Sequence, residues 1–132
     1  MIVDDLEELL QQTMLASASV KGYVGTRIHP TEIALVRSQT FPCICFDFGT
    51  SSISRIGKNG IVPIQLWIHS TKDYAETFEI FELLFAMLHA TRITDARIHA
   101  VGTISSGPTK YSDGEVYSLV SGWSFNCIEA GV

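Results

Sequence analysis

Positive charge is scarce in this chain of 132 residues, where 9 Lys and Arg stand against 14 Asp and Glu for a formal net charge of -5. Holding nucleic acid by its phosphates demands a basic face, so that class of function is excluded, although DNA could pass nearby without being gripped. Long apolar runs are missing too: nothing approaches the roughly 20 residues that a membrane helix needs. Cysteine is limited to Cys43, Cys45 and Cys127, which cannot all pair, so no disulfide framework is expected. The opening "MIVDDLEELL" is acidic where a secretory signal carries a basic segment, and no small-residue cleavage site follows it. Synthesis and retention in a cytosol are the expectation. Hydrophobic residues at 46% and charged ones at 17% exclude intrinsic disorder. The length suits one domain over residues 1–132, able to bury roughly two thirds of its unfolded surface.

Catalytic signatures are equally absent. There is no Gly-x-Ser-x-Gly elbow and no distinctive Cys and His arrangement. The segment "GTSSISRIGKNG" has Gly at both ends and Lys58 inside, but it lacks the Gly-Lys-Ser/Thr ending and leads into a strand rather than a helix. His29, His69, His89 and His99 lie in separate segments without metal-ligand spacing. Cys43 and Cys45 share one face of a strand and Cys127 sits on another; they read as small buried hydrophobes, a three-thiol cluster being the alternative. Glu76, Glu79 and Glu82 follow the outer flank of a helix, where acidic residues are solvated rather than paired for glycoside chemistry. The cluster Trp67, His69, Asp73 has a structural explanation: a half-buried aromatic, a strand end and a helix cap. No enzyme is expected, and no cofactor or metal is called for.

What the sequence does contain is pattern. In "VDDLEELLQQTML", Asp4 and Glu7 have capping-box spacing, and Leu6, Leu9, Leu10 and Met14 recur at helical intervals. Gly22 and Gly25 then break the pattern, and a short strand at Arg27 to His29 precedes Pro30. Residues 31–40 form a connection. "FPCICFDF" alternates Phe41, Cys43, Cys45 and Asp47 on one side with Ile44, Phe46 and Phe48 on the other. A long Ser- and Gly-rich loop leads to "IVPIQLWIHS", with Val62, Ile64, Leu66 and Ile68 facing a core and Pro63, Gln65, Trp67 and His69 facing away. Asp73 and Glu76 form a second capping box, and Tyr74, Phe78, Phe81, Phe85 and Leu88 trace a stripe down a helix reaching about residue 91 to cover the sheet. Ile80, Leu83 and Met87 widen that stripe beyond ordinary needs, so the N-terminal helix or another subunit packs there. "ARIHAVGTIS" and "EVYSLVSGWSFNCI" are two further strands separated by "SGPTKYSDG" as a hairpin tip. The fold class is α+β, a mostly antiparallel sheet with two helices packed on one face as a two-layer sandwich.

In order, "DDLEELLQQTML", "GYVGTRIHP", "FPCICFDF" and "IQLWIHSTKDYAETFEIFELLFAML" resemble the tail terminator, or tail completion, proteins of long-tailed bacteriophages, a minor tail protein family. The resemblance covers nearly the whole chain. It implies a homo-oligomeric ring of about six subunits on the head-proximal end of the tail tube, which stops tube growth and presents a surface to the head connector. Its partners would be copies of itself, tail tube protein and head connector proteins, with DNA passing through unbound and no membrane contact. The place would be the virion tail, after assembly in the bacterial host cytoplasm.

A closed ring needs two dissimilar patches that meet. The arc of Ile80, Leu83 and Met87 is one candidate half, and the sheet face bearing Gln65 and Trp67 is another. Ser54, Arg55 and Lys58 in the first loop, with Lys110 and Tyr111 in the hairpin tip, are candidate contacts for tube or connector. Summed over a ring, the negative charge would keep DNA from sticking, an acidic lumen being the expectation. A head-tail joining or head completion protein shares these signals. From a different class, a small ligand-binding or enzymatic domain would place its pocket near Trp67, His69 and Cys43.

Overall fold

In the computed structural model, which describes residues 2–36, 39–48, 54–56 and 59–130, the chain begins with helix α1, Ile2–Leu15. Leu6, Leu9, Leu10 and Met14 are buried along one side, as their spacing requires. The capping box expected at Asp4 does not form, because the helix is already under way at Ile2; Asp4 and Asp5 instead occupy the first turn, where negative charge suits the exposed N–H groups.

A second helix, α2 (Ala18–Val24), occupies the stretch expected to be broken. Ser17 caps it, its hydroxyl accepting from the Val20 N–H at 3.3 Å. Gly25, with φ of 59°, terminates it, the left-handed conformation that glycine takes without a Cβ penalty. Val20 and Val24, one turn apart, are fully buried. The Arg27 Nε–H then donates to the Pro42 carbonyl at 2.9 Å, fixing the exit of α2 against the next strand.

Strand β1 (Ile28–His29) pairs in parallel with β2 (Cys43–Phe48). A single 3₁₀ turn, Ile33–Leu35, lies between them. Strands β3 (Ser54–Ile56), β4 (Asn59–Ser70), β5 (Arg92–Thr94), β6 (Ile98–Asp113) and β7 (Val116–Glu129) complete the set. The sheet order is β1-β2-β4-β7-β6-β5, with β3 pairing β4, and every named strand pair except β1–β2 is antiparallel. The architecture is therefore α+β with one mostly antiparallel sheet, but the described residues carry three α-helices rather than two. Alternation on β4 sends Val62, Ile64, Leu66 and Ile68 into the core on the helix side.

Helix α3 (Tyr74–Leu88) is capped as expected: Asp73 Oδ1 accepts from the Glu76 N–H at 2.9 Å. Glu76 does not reach back to Asp73; its carboxylate accepts from the Ser70 hydroxyl at 2.7 Å. Replacing Asp73 by Ala should cost about 1 kcal/mol, a fall of about 4 °C in Tm for a chain of this length, measurable by calorimetry.

The buried side of α3 is rotated from the expected stripe. Thr77, Ile80, Phe81, Leu84 and Leu88 are buried, whereas Phe85 is 37% exposed. The reason is α2, which packs on α3 and is joined to it by the Tyr23 hydroxyl donating to Glu79 at 2.9 Å. α3 thus has two neighbours to satisfy, the sheet and α2. Ile80, offered above for contact with another subunit, is fully buried in the chain's own core.

The segment expected to be a hairpin tip is strand. β6 and β7 stay paired from Ile98↔Glu129 to Asp113↔Val116, with register shifts between Ile104 and Thr109, so the turn itself is only Gly114 and Glu115. The Gly, Ser and Pro residues that look like turn formers are accommodated as bulges in a long ribbon.

Candidate functional site

Alternation along β4 that buries Val62 to Ile68 turns Gln65, Trp67 and His69 to the opposite, outer face of the sheet. Asp47 pairs with Gln65 across β2, and Cys45 with Trp67; on the other side Ser118 of β7 pairs with His69 and Tyr111 of β6 with Ser118. Asp47, Gln65, Trp67, His69, Tyr111 and Ser118 line a cavity of about 430 Å³, whose wall also includes Glu32, Ile33 and Phe41 from the connection after β1.

Trp67 is the centre of this site. Its ring stacks on His69 (centroids 5.7 Å apart, planes 11° apart) and meets Tyr111 edge-on at 6.0 Å. His69 is 4% exposed, and its Nδ1 is 2.7 Å from the Ser118 hydroxyl. Burial brings its imidazole pKa down to about 4, so the ring is neutral at physiological pH. Burial, and then the nearby Glu32 carboxylate, hold the Asp47 carboxyl above the ordinary range. Two enclosed atoms here lack a hydrogen-bond partner, Asp47 Oδ1 and His69 Nε2.

Of the residues singled out from sequence, the fold brings Gln65, Trp67 and Tyr111 together at this cavity. Lys110 extends to the other face, its Nζ 5.1 Å from the Tyr74 ring centre and 5.8 Å from that of Phe78 on α3. Leu83 and Met87 are half-buried at the margin of the core, away from Trp67. Ser54 and Arg55 belong to β3, paired with Ile61 and Gly60, rather than to an open loop; Lys58 lies outside the described residues. Asp73 caps α3 and does not border the cavity, and neither does Cys43. Asp47 and Ser118 were not singled out, although the alternation in "FPCICFDF" put Asp47 on the same side as Cys45.

The three cysteines are buried and unpaired. Cys43 and Cys45 lie on the outer face of β2, while Cys127 belongs to the core on the helix side of β7, so they do not form one cluster. The hydrogen bond between Cys43 and Cys45 raises the Cys45 thiol and lowers that of Cys43, and burial pushes Cys127 up to about 12. His89 accepts from the Ile104 N–H and His99 meets the Thr94 hydroxyl, so the histidines are dispersed. Among the described residues no group of three His, Cys, Asp or Glu is placed to hold a metal ion, and no helix is long and apolar enough to cross a membrane.

A virion chain shares this fold. The similarity is to a solved structure described as the virion of a native gene transfer agent particle, with a TM-score of 0.72 over 97% of this chain and 98% of that one. Identity is 12%, so the likeness is one of fold. No family model and no curated protein matches the sequence. The correspondence runs essentially end to end in both chains.

Proposed function

We propose that the chain is a structural virion protein that forms a ring on the head-proximal end of a phage-type tail tube, stops tube polymerisation there and offers the surface to which the head joins. The observation that carries this is the end-to-end fold correspondence with a chain from a gene transfer agent virion. The ordered segments that resemble tail terminators support the narrower role. Function on this reading resides in interfaces, which need two dissimilar patches on each copy. The outer sheet face with Gln65, Trp67 and Tyr111 supplies one, and the flank of α3 with Leu83 and Met87 supplies the other, now without Ile80.

Mass photometry over a concentration series, followed by negative-stain imaging and by incubation with purified tail tubes, tests the proposal. Closed rings of about six subunits, or caps on one end of each tube, are the expected result. A protein that stays monomeric and ignores tube ends overturns it. Attachment to the portal side alone would select a head-tail joining or head completion role instead. The cavity under Trp67 favours one second reading, a ligand-binding module that needs no assembly and whose Tm rises with ligand.

A further inference from the structure

We propose that the open edge of β6, beside the aromatic flank of α3, is a docking groove for an extended segment of another polypeptide, which adds to β6 as a strand and carries alternate apolar side chains with a carboxylate in register with Lys110. The inference goes beyond the ring, since it concerns one copy of the chain and requires no assembly.

Strand β6 is partnered unequally on its two sides. β7 follows it as far as Asp113, whereas β5 pairs only with His99 to Val101. The turn after α3 extends that second side a little: the Ala90 N–H donates to the Gly102 carbonyl at 2.7 Å, and the His89 imidazole accepts from the Ile104 N–H at 3.3 Å. Beyond Ile104 no strand, loop or side chain among the described residues is hydrogen-bonded to that side of β6, and residues 105–112 are all exposed. Such an edge is a template for a further strand. Proline and bulges blunt natural edges, and β6 has both, in Pro108 and in the register shifts between Ile104 and Thr109. From Thr109 to Asp113 the register against Val116 to Val120 is unbroken, so this segment remains able to pair.

The helix above supplies the other half of the groove. Tyr74, Phe78 and Phe85 share one flank of α3 by their helical spacing, away from the side that meets α2 through Glu79. That flank runs along β6. Lys110 reaches it from the strand, its ammonium over the Tyr74 and Phe78 rings, and His89, which stacks on Phe85, holds the Ile104 N–H. Phe85 is more than a third exposed. Side chains of an added strand alternate, so every second one would meet this flank while the main chain pairs with β6, a recurring mode of peptide recognition. Among the described residues Lys110 has no carboxylate partner, only the two rings, so an acidic side chain beside it completes a charge pair. A second copy of the chain is a poor donor of such a strand. The other strands with a single neighbour, β1, β3 and β5, offer two or three residues each. Two β6 strands paired about a two-fold axis at Tyr111 would set their Lys110 side chains on one face as diagonal neighbours of like charge.

The test is selection on the full chain from a library of random peptides of about twelve residues, long enough to span the edge as a strand. Selected sequences should alternate apolar residues and carry Asp or Glu at one fixed position. In hydrogen exchange they should slow those amides of residues 109–113 that point away from β7. N-methylation of the peptide amides on the pairing side should weaken binding by at least about tenfold. Lys110→Glu, at an exposed site, should weaken the same peptides by about fivefold, and a fresh selection on that variant should favour Lys or Arg at the fixed position. Failure to select any common pattern overturns the proposal, as do peptides that bind equally well after N-methylation or to Lys110→Glu. Protection of residues 109–113 that arises without peptide and grows with protein concentration would make a second copy the occupant, and would equally overturn it.

Discussion

Trp123→Ala should lower the unfolding free energy by about 3–5 kcal/mol, the largest effect expected of any single truncation in this chain. Trp123 is 2% exposed and has the greatest volume among the fully buried side chains. It sits on the core side of β7, stacked 25° from parallel on Phe125 at 6.2 Å and flanked by Phe85 and His89 from the end of α3. It is therefore where the ribbon of β6 and β7 is fastened to the helical layer. Its indole N–H donates to the Ser121 hydroxyl at 2.9 Å, and Ser121 is itself 2% exposed, so truncation adds an unsatisfied hydroxyl to the cavity it leaves. Phe85 is partly exposed and can settle into the space, which sets the lower end of the range. Trp123→Phe keeps most of the ring volume and should lose only about 1–2 kcal/mol. Urea unfolding measures both: the midpoint should fall with the slope unchanged, and a loss for Trp123→Ala below about 1 kcal/mol would show that the ribbon does not depend on this contact.

The central strands and α3 were legible in the sequence because each expresses its environment in its own pattern. β4 alternates with period two since one face meets the helices and the other does not, and Asp73 signals the start of α3 through a local hydrogen bond. α2 was not legible because Gly22 and Gly25 look alike on paper. In the fold Gly25 is a true terminator with positive φ, while Gly22 lies within the helix on its exposed side, with nothing near the place a Cβ would take. Missing α2 had a direct consequence for function. Without it the apolar width of α3 pointed to the N-terminal helix or another subunit; with it, Ile80 is accounted for inside the chain.

The candidate site divides along the same line. Trp67 and His69 are neighbours on one strand, so alternation alone placed them together. Asp47 was assigned to the correct face of its own strand, but its position beside Gln65 depends on the pairing of β2 with β4, which alternation does not specify. Tyr111 and Ser118 join the site because β6 and β7 continue as a ribbon through a stretch whose Gly107 and Pro108 resemble a turn. Glu32, Ile33, Ala34, Gln39 and Phe41, which wall the cavity, belong to a stretch of sequence with no periodic signal at all. Composition predicted a connection there; only the folded chain shows that it borders a cavity.

Acid should destabilise the protein through His69 in a way that a single substitution isolates. His69 is held neutral by burial, with its pKa brought from 6.5 to about 4. Above pH 6.5 the ring is neutral in both folded and unfolded chains and contributes no pH dependence. Between pH 6.5 and about 4 the unfolded chain takes up a proton that the folded chain refuses, so stability falls as pH falls through this window. At about 1.4 kcal/mol per pH unit between the two values, the full loss comes to about 3 kcal/mol. The other groups around the site act differently. Asp47, raised by burial and Glu32, contributes with the opposite sign, its stabilisation being full below its unfolded pKa and lost as pH rises. Ser118 and the Trp67 ring do not titrate in this range, and Cys43, opposite His69 on β2, is lowered by its hydrogen bond with Cys45. The wild-type curve alone therefore mixes terms, whereas its difference from His69→Gln cancels those the two proteins share. From pH 7 to pH 4, wild type should lose about 3 kcal/mol more than the variant in urea unfolding. Parallel curves would mean that the imidazole can take its proton without unfolding the chain, and the face beneath Trp67 would then be open to water rather than closed around a neutral ring.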